Sequence, residues 1–463
     1  MVLTAKTAVA AIGVILSFSL CAKPQPTTQT TKSAIESVIN SYVSHGAFEG
    51  VLLVSQSGEK IFEQAYGFAN YDNRTPISVN SSFQIASLSK PITATLVLKL
   101  KEQGKLKLES TLADYFTEFD NDIGRQITLH HLLNHTSGIP NHFTLNNWFN
   151  RDFHKVTTEQ AFVDVIANMP LSAEPGEEHN YSNPAYFLLG KIIEKVTGQS
   201  FAQSLKTNIL APLNMTHSGV APGNTQSAHV IKAHQWQDAG GYKREPDNNY
   251  KLFGAGAAIY SSADDLYRFD LALYGTELIN EQSKRQLFNP DLPYSWRVGK
   301  LPITESRKVN AHMYDGKIKG YSSMVLRLID DKHSVILLSN NGMSYQLKRQ
   351  LVGDIAKVLY GEQATNREND VALALTKAIT TGTFEKLLTD IKANKYTLDE
   401  GMMTSFAYEL LWSNLASKSL QLFAVIGNQF KQSEDAKHHF AKACNHRLVK
   451  NLEERNAICG ATL

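Results

Sequence analysis

Residues 86–103 read ASLSKPITATLVLKLKEQ and form the most informative segment of the chain. The apolar residues at 92, 96, 97 and 100 recur at helical spacing, and Gly104 ends the pattern. We therefore predict a helix over 88–103 that begins directly after Ser87. Because residues three apart on a helix share a face, Lys90 is expected one turn above Ser87.

The pair Ser87 and Lys90 is a candidate for nucleophilic catalysis. A serine hydroxyl is a poor nucleophile unless a base lies within hydrogen-bonding range. A buried lysine can be that base, because burial disfavours its charged form. The start of a helix adds free backbone N–H groups and a favourable dipole for a developing oxyanion. Ser57 and Lys60 share the same spacing, but Ser57 precedes Gly58 in a turn sequence, so we predict Ser87 as the nucleophile.

A second candidate segment is NYSNP at 180–184. The phenol of Tyr181, held near Lys90, would carry protons to and from the nucleophile. Asn183 would hydrogen-bond a substrate amide or the lysine. A similar triplet at 71–73 (YDN) is typical of a loop, and pattern alone does not separate the two.

Three histidines fall in the segment 128–140 (TLHHLLNHTSGIP). Thr128 favours a helix start and Gly138 a helix stop. A metal site is one interpretation, but the segment has no HExxH pattern and contains no carboxylate. We therefore favour capping and packing roles, and predict neither a metal nor a cofactor, for His130, His131 and His135.

The remaining patterns predict an α+β fold. Apolar runs at 49–55 and 60–66 flank a turn and predict a β-hairpin. Late strands are predicted at 321–329 and 334–339, followed by a helix over 346–359. Helical patterns dominate from the first helix to about residue 212. This order indicates an antiparallel sheet flanked by helices, with an all-helical insert region.

A polar segment at 361–370 (GEQATNREND) predicts a boundary between a domain over 32–361 and a C-terminal all-α module over 367–463. Within that module, residues 402–431 resemble one degenerate helix–turn–helix of the tetratricopeptide kind, which needs neighbours to bury a core. Two interpretations stay open: a surface for protein contacts, and a helical cap on the larger domain.

The N-terminus predicts export. Lys6 precedes an apolar run over 7–20, shorter than the roughly 20 residues that span a bilayer, and a proline-containing polar segment follows. We predict a signal peptide over 1–22 and a periplasmic or secreted protein. A membrane anchor, a buried helix and lipid modification of Cys21 are the alternatives. In an oxidising location Cys444 and Cys459 would form a disulfide, although free buried thiols stay possible.

Composition narrows the possible partners. Hydrophobic residues make up 43% and charged residues 19%, as in soluble globular proteins, and 463 residues suffice for one large or two moderate domains. The formal net charge is +2 without a conspicuous basic patch. We therefore expect no nucleic-acid partner.

These features in this order resemble the serine β-lactamase and penicillin-binding family, in the branch near class C β-lactamases and DD-carboxypeptidases. The order is a strand hairpin, S-x-x-K at 87–90, the 128–140 segment, and Y-x-N at 181–183. The run 253–269 (FGAGAAIYSSADDLYRF) is similar to this family's glycine-rich turn and following helix. The resemblance covers about residues 32–361.

The resemblance implies a role for each of the residues singled out above. Ser87 would be the nucleophile, and its backbone N–H one oxyanion donor. The base would be shared by Lys90 and Tyr181, which are expected to titrate as a coupled pair. Asn183 would bind an amide of the substrate.

The family's third motif, Lys-Thr-Gly or His-x-Gly on a strand edging the site, corresponds by position to Tyr314, Asp315 and Gly316. The resemblance implies a second oxyanion donor in the backbone N–H of Lys317. Tyr314 stands where a cation usually helps to hold a substrate carboxylate, and a neutral phenol supplies no charge. His312, two residues earlier and on the same strand face, could recover part of that interaction.

We therefore expect an exported serine hydrolase that forms an acyl-enzyme on Ser87. Its substrate would be a β-lactam, a D-amino-acid peptide or a small carboxylic ester. Tyr314 favours an esterase or peptidase over an efficient β-lactamase. The alternative from another class is a catalytically quiet binding protein that uses its C-terminal helices for recognition.

Overall fold

A computed structural model describes residues 27–141, 158–222, 230–245, 252–450 and 452–460. The predicted signal peptide over 1–22, with Cys21, lies outside the described residues. No helix within the described ranges is long and apolar enough to cross a bilayer.

The α-helices of the described residues are α1 (Thr28–Val43), α2 (Ser89–Glu102), α3 (Leu129–Leu133), α4 (Glu159–Ala167), α5 (Asn183–Thr197), α6 (Phe201–Leu205), α7 (Gly254–Ala257), α8 (Ala263–Ala272), α9 (Glu281–Leu287), α10 (Tyr345–Leu359), α11 (Val371–Thr381), α12 (Phe384–Lys392), α13 (Glu400–Trp412), α14 (Ala416–Gln429), α15 (Glu434–Cys444) and α16 (Arg455–Cys459). A 3₁₀ turn (Ala86–Leu88) leads directly into α2, so the helix predicted over 88–103 is confirmed.

The strands are β1 (Gly50–Gln56), β2 (Glu59–Tyr66), β3 (Phe68–Asn70), β4 (Thr75–Pro76), β5 (Phe83–Gln84), β6 (Gly219–Val220), β7 (His234–Trp236), β8 (Tyr242–Arg244), β9 (Ile259–Ser261), β10 (Arg297–Pro302), β11 (Lys308–Ile318), β12 (Tyr321–Leu328) and β13 (His333–Ser339). The predicted hairpin is β1–β2, and its turn places Ser57 and Gly58 at φ +53° and +78°. The predicted late strands are β12 and β13.

The main sheet has six strands in the order β10-β11-β12-β13-β1-β2, and every neighbouring pair is antiparallel. The residues of strand β1 are buried on both faces of the sheet. Because alternate residues of a strand point to opposite faces, their side chains enter two different cores. Val51 and Leu53 belong to the core shared with α2, whereas Leu52 and Val54 belong to the core shared with α1 and α10. The predicted α+β arrangement of an antiparallel sheet between helices is confirmed.

The C-terminal helices form a module with its own core and lie directly against the rest of the chain. Trp236 of β7 stacks on Phe406 of α13 with ring centroids 5.5 Å apart, and it belongs to the core of the module. The helix pair predicted within 402–431 is present as α13 and α14. The predicted disulfide between Cys444 and Cys459 is present as well.

Candidate active site

Ser87 lies in a tight turn that neighbouring strands hold in place. Ala86, directly before it, has φ +50°, a left-handed conformation that costs an L-residue roughly 1–2 kcal/mol. The N–H of Ile85 donates to Ile259 O at 3.1 Å, and the Ser323 hydroxyl donates to Ile85 O at 2.7 Å. Surrounding structure therefore fixes the strained backbone that presents the hydroxyl of Ser87.

The amine of Lys90 is fully buried at the base of the site. Its Nζ lies 3.2 Å from Ser87 Oγ, 2.8 Å from Asn183 Oδ1 and 3.0 Å from Gly256 O. Burial lowers the pKa of this amine well below its ordinary value. The contact with the carbonyl of Gly256 was not predicted, although Gly256 belongs to the glycine-rich run at 253–269 that contributes to the resemblance.

Tyr181 lies two residues before α5 and contacts the same side chains. Its hydroxyl oxygen lies 2.7 Å from Ser87 Oγ and 3.3 Å from Asn183 Oδ1, and Lys90 Nζ lies 4.9 Å from the ring centroid. Burial raises the pKa of Tyr181 to about 12, against the hydrogen bonds with Ser87 and Tyr314 that lower it. Tyr181 is therefore a neutral phenol near neutral pH.

Asn183 begins α5, where the Ser182 hydroxyl caps the helix by accepting the N–H of Ala185 at 3.2 Å. Its amide oxygen accepts from Lys90, and its amide nitrogen donates to Asn141 Oδ1 at 3.2 Å. Of the two contacts predicted for Asn183, the structure contains the one to the lysine. Binding of a substrate amide stays a prediction.

The segment 128–140 supports Tyr181 through His135. The imidazole Nδ1 of His135 accepts the N–H of Ser182 at 3.2 Å, and its carbonyl accepts the N–H of Asn180 at 2.7 Å. The ring centroids of His135 and Tyr181 lie 4.7 Å apart. His135 therefore contacts the chain on both sides of Tyr181 as well as the phenol itself.

The other two histidines of that segment also have protein partners. Nδ1 of His131 accepts the N–H of Thr128 in a capping box, and Nδ1 of His130 lies 2.7 Å from the hydroxyl of Tyr294. The predicted capping and packing contacts are thus present. Among the described residues, no group of three or more histidine, cysteine or acidic side chains could hold a metal ion.

The third motif lies against the turn that carries Ser87. A Cβ added to Gly316 would lie 2.1 Å from Ile85 O and 2.9 Å from Ser87 N, so only glycine permits this approach. Strand β10 pairs with β11 only as far as Met313. Within the described ranges, the outer edge of residues 314–318 therefore has no partner strand.

Tyr314 is buried beside Tyr181, and interaction with it lowers the pKa of Tyr181. Burial raises its pKa well above the ordinary value, so Tyr314 is uncharged, as its residue type predicts. The structure therefore places Tyr314 next to Tyr181, and direct contact with substrate stays a prediction.

His312 does not supply the charge that Tyr314 lacks, a question that the sequence left open. The ring of His312 stacks on Phe288 at 4.3 Å, and burial together with nearby Arg327 lowers its pKa to about 3. The imidazole is therefore neutral. The cation beside Tyr314 is instead Arg297, whose guanidinium carbon lies 5.6 Å from the Tyr314 ring centroid and whose side chain is 48% exposed.

A buried ion cluster behind β11 fixes Arg297. Asp315 forms ion pairs with Arg297 and with Lys348, the latter at 2.8 Å. The amine of Lys348 also donates to Gly316 O at 3.0 Å and to Ser323 O at 3.2 Å. Burial lowers the pKa of Lys348 to about 8, while Asp315 opposes that shift. This cluster was not predicted, because its only local signal in the sequence is a lysine on the apolar face of α10.

Lys317 links the active-site strand to the C-terminal module. Its Nζ lies 3.3 Å from Glu409 Oε2 on α13. Glu409 is 4% exposed, and its other oxygen accepts the N–H of Tyr345 at 2.8 Å. The structure thus assembles Ser87, Lys90, Tyr181, Asn183, Tyr314, Gly316 and Lys317 in one region. The backbone N–H of Lys317 as an oxyanion donor stays a prediction.

Comparisons with known proteins point to one family. Residues 35–357 match the family model described as Beta-lactamase. The chain is 30% identical over 363 residues to penicillin-binding protein 4* of Bacillus subtilis, across 72% of this chain and 77% of that protein. It shares its fold with EstCE1, a hydrolase with promiscuous acyltransferase activity (TM-score 0.60, 19% identity, 71% of this chain and 99% of that chain). It also shares its fold with the D-amino acid amidase of Ochrobactrum anthropi SV3 (TM-score 0.59, 22% identity, 71% and 99%).

Proposed function

This chain belongs to the β-lactamase family of serine hydrolases, and we propose that it cleaves esters or amides through an acyl-enzyme on Ser87. The observation that carries the proposal is the set of three oxygens around the buried amine of Lys90, one of which is Ser87 Oγ.

The proton inventory at Lys90 supports a role as the base. A neutral amine has two hydrogens and one lone pair. The hydrogens match Asn183 Oδ1 and Gly256 O, and the lone pair then accepts the hydroxyl proton of Ser87. Because burial depresses the pKa of Lys90, the neutral form is populated where an exposed lysine would be charged.

Tyr181 is suited to the opposite role. With a pKa of about 12 it keeps its proton until a strongly basic atom develops beside it. Two titratable groups whose environments push their pKa values in opposite directions make an acid–base pair. We therefore assign Lys90 as the base and Tyr181 as the proton donor to the leaving group.

The proposed reaction has two balanced steps. Ser87 Oγ attacks the carbonyl carbon while its proton passes to Lys90, and the carbonyl oxygen becomes an oxyanion held by backbone N–H groups of Ser87 and Lys317. As the bond to the leaving group breaks, Tyr181 protonates that group and is reprotonated by the Lys90 ammonium. Water then attacks the ester, gives a proton to the Tyr181–Lys90 pair, and Ser87 departs with a proton.

Arg297 favours substrates with a carboxylate on the leaving-group side. It lies half exposed beside Tyr314, at the unpaired edge of β11. Arg297 and Lys348 both pair with the single carboxylate of Asp315, so the cluster of these three side chains keeps a net positive charge. Hydrogen bonds between charged groups are roughly twice as strong as neutral ones. The neutral Tyr314 therefore need not restrict this protein to uncharged esters, and D-amino-acid peptides and β-lactams belong among the candidate substrates.

We also propose that the protein is exported. The N-terminal apolar run is typical of a signal peptide. The disulfide between Cys444 and Cys459 supports an oxidising location, because such bonds persist mainly outside the cytosol.

A fluorophosphonate probe tests the nucleophile. We expect labelling of the wild-type protein, loss of labelling in Ser87→Ala, and normal labelling in Ser57→Ala, which alters the other Ser-x-x-Lys sequence. A wild-type protein that reacts with neither this probe nor a fluorescent penicillin would overturn the proposal and favour the quiet binding protein.

Hydrolysis of p-nitrophenyl esters, a chromogenic cephalosporin and D-Ala-D-Ala peptides tests the substrate class. Arg297→Gln should lower kcat/KM about tenfold for substrates that carry a carboxylate and leave neutral esters nearly unchanged. The matched control is Arg268→Gln, since Arg268 is 43% exposed and paired with Asp264. An equal effect on charged and neutral substrates would exclude carboxylate binding by Arg297.

A further inference from the structure

A cleft of about 310 Å³ lies where β11 meets the C-terminal module. Its floor is residues 317–320, at the end of β11 and the turn into β12. The lining also includes Trp236 of β7, and Glu409 and Trp412 at the end of α13.

The cleft and the candidate active site share strand β11. Lys317 lines it and directly follows Gly316, which packs against the backbone of Ser87. On the proposed function, the substrate carbonyl lies between Ser87 and Lys317, and Arg297 marks the side that takes the leaving group. The acyl portion then extends in the other direction along β11. β11 ends at Ile318, one residue beyond Lys317, and the turn at 319–320 completes the floor, so an acyl chain that follows β11 past Lys317 enters the cleft.

The wall of the cleft offers an unusually exposed aromatic surface. Trp412 is 67% exposed, more than any other large hydrophobic residue that is exposed in the described ranges. Its ring lies nearly parallel to that of Tyr408, with centroids 6.0 Å apart and an angle of 25° between the planes. One face of the indole is therefore supported from within the module.

The wall is also fixed relative to the catalytic strand. Glu409 is three residues before Trp412 on the same helix, and it pairs with Lys317 and accepts the N–H of Tyr345. Trp236 packs on Phe406 one turn earlier. The surface is thus formed before a substrate arrives, which reduces the ordering cost of binding.

We propose that this cleft binds the acyl portion of the substrate, and that the group it takes is an aromatic ring lying against Trp412. The inference rests on the proposed acyl-enzyme function and extends it, because it assigns the C-terminal module a part in substrate recognition. An aromatic pair contributes beyond the apolar area that it buries, so an ester with a terminal phenyl ring has a measurable advantage over the same ester without the ring.

The kinetic test compares p-nitrophenyl 6-phenylhexanoate with p-nitrophenyl hexanoate and acetate. The wild type should prefer the phenyl ester. Trp412→Ala should lower kcat/KM for that ester about tenfold and leave the hexanoate and acetate within twofold, while Trp412→Phe should retain much of the preference. The control is Leu448→Ala, an exposed apolar residue of the same module that does not line the cleft. An equal loss on all esters, or none, would overturn the proposal.

A binding measurement keeps this proposal separate from the catalytic one. Ser87→Ala retains the cleft, and 6-phenylhexanoate should bind it about tenfold more tightly than it binds the double variant Ser87→Ala, Trp412→Ala in calorimetry. If the wild type hydrolyses acetate but this difference is absent, the cleft proposal alone fails. If the difference is present but no ester is hydrolysed and no probe reacts, the proposed function fails and the binding cleft stands.

Discussion

Replacing Lys90 with methionine tests the base through both rate and stability. Methionine keeps an unbranched, buried side chain but supplies neither a lone pair for Ser87 nor donors for Asn183 and Gly256. General-base catalysis typically contributes 10²–10⁴-fold, or about 3–5 kcal/mol of barrier. Because the proposed mechanism uses Lys90 in both acylation and deacylation, kcat and kcat/KM for p-nitrophenyl acetate should both fall by that factor.

The same substitution has a stability signature whose sign follows from the pKa of Lys90. The unfolded lysine titrates near 10.5, and the folded one well below it. Between those two values the unfolded chain binds the extra proton, so the free energy of unfolding of the wild type rises with pH across that window. Lys90→Met removes this dependence. It also leaves Asn183 Oδ1 and Gly256 O without their donor, at about 1–3 kcal/mol each, a cost that opposes the relief from burying a charge at low pH.

The assay is urea unfolding together with kcat/KM measured from about pH 5 to pH 9. The wild-type rate should rise with pH until the amine of Lys90 is neutral and then level off. Lys60→Met is the matched control: Lys60 has the same spacing from a serine, but it is partly exposed and paired with Glu63 and Asp264, so it should change stability by about 1 kcal/mol or less and leave the rate unchanged. A Lys90→Met protein that keeps more than a tenth of the wild-type rate would refute the assignment of the base.

Three further substitutions separate the remaining parts. Tyr181→Phe should lower kcat for esters by about 10²-fold or more. It should leave fluorophosphonate labelling within tenfold of wild type, because fluoride leaves without a proton. Equal losses in both assays would contradict the role of Tyr181 as the acid. Changing Cys444 and Cys459 together to serine should lower the free energy of unfolding by about 2–4 kcal/mol in urea titrations, with ester hydrolysis unchanged. Glu409→Gln removes the negative charge that pairs with Lys317, so it should lower kcat several-fold and leave KM for acetate unchanged. Glu434→Gln, on an exposed part of the same module, should leave kcat unchanged.

The parts of the fold that were predicted correctly are those that short stretches of sequence determine. The helix after Ser87, the β1–β2 hairpin and the late strands follow from hydrophobic periodicity and turn residues within windows of a few residues. The pairing of Cys444 with Cys459 followed from counting cysteines. Ser57 and Lys60 share a spacing with the catalytic pair, and the apolar helix that follows Ser87 was sufficient to separate them.

Contacts between residues that are distant in sequence could not be predicted from such short stretches. Arg297 and Lys348 meet Asp315 only because β10 and α10 pack on either side of β11, and no sequence window contains all three. His312 shows how a correct local rule can mislead. Alternation does place residues 312 and 314 on one face, but about 7 Å of strand separates them, and Phe288 covers the imidazole.

A single physical cause accounts for both halves of the proposed acid–base pair. Burial disfavours charge on any group, so it lowers the pKa of Lys90 and raises that of Tyr181 in the same cavity. The division of roles therefore does not require a separate charged partner for either residue; it requires that water stays away from both. The residues that enclose the cavity, such as His135 and the backbone at Gly256, then matter to catalysis without reacting, because admitting water would return both pKa values towards their ordinary range and remove the neutral base.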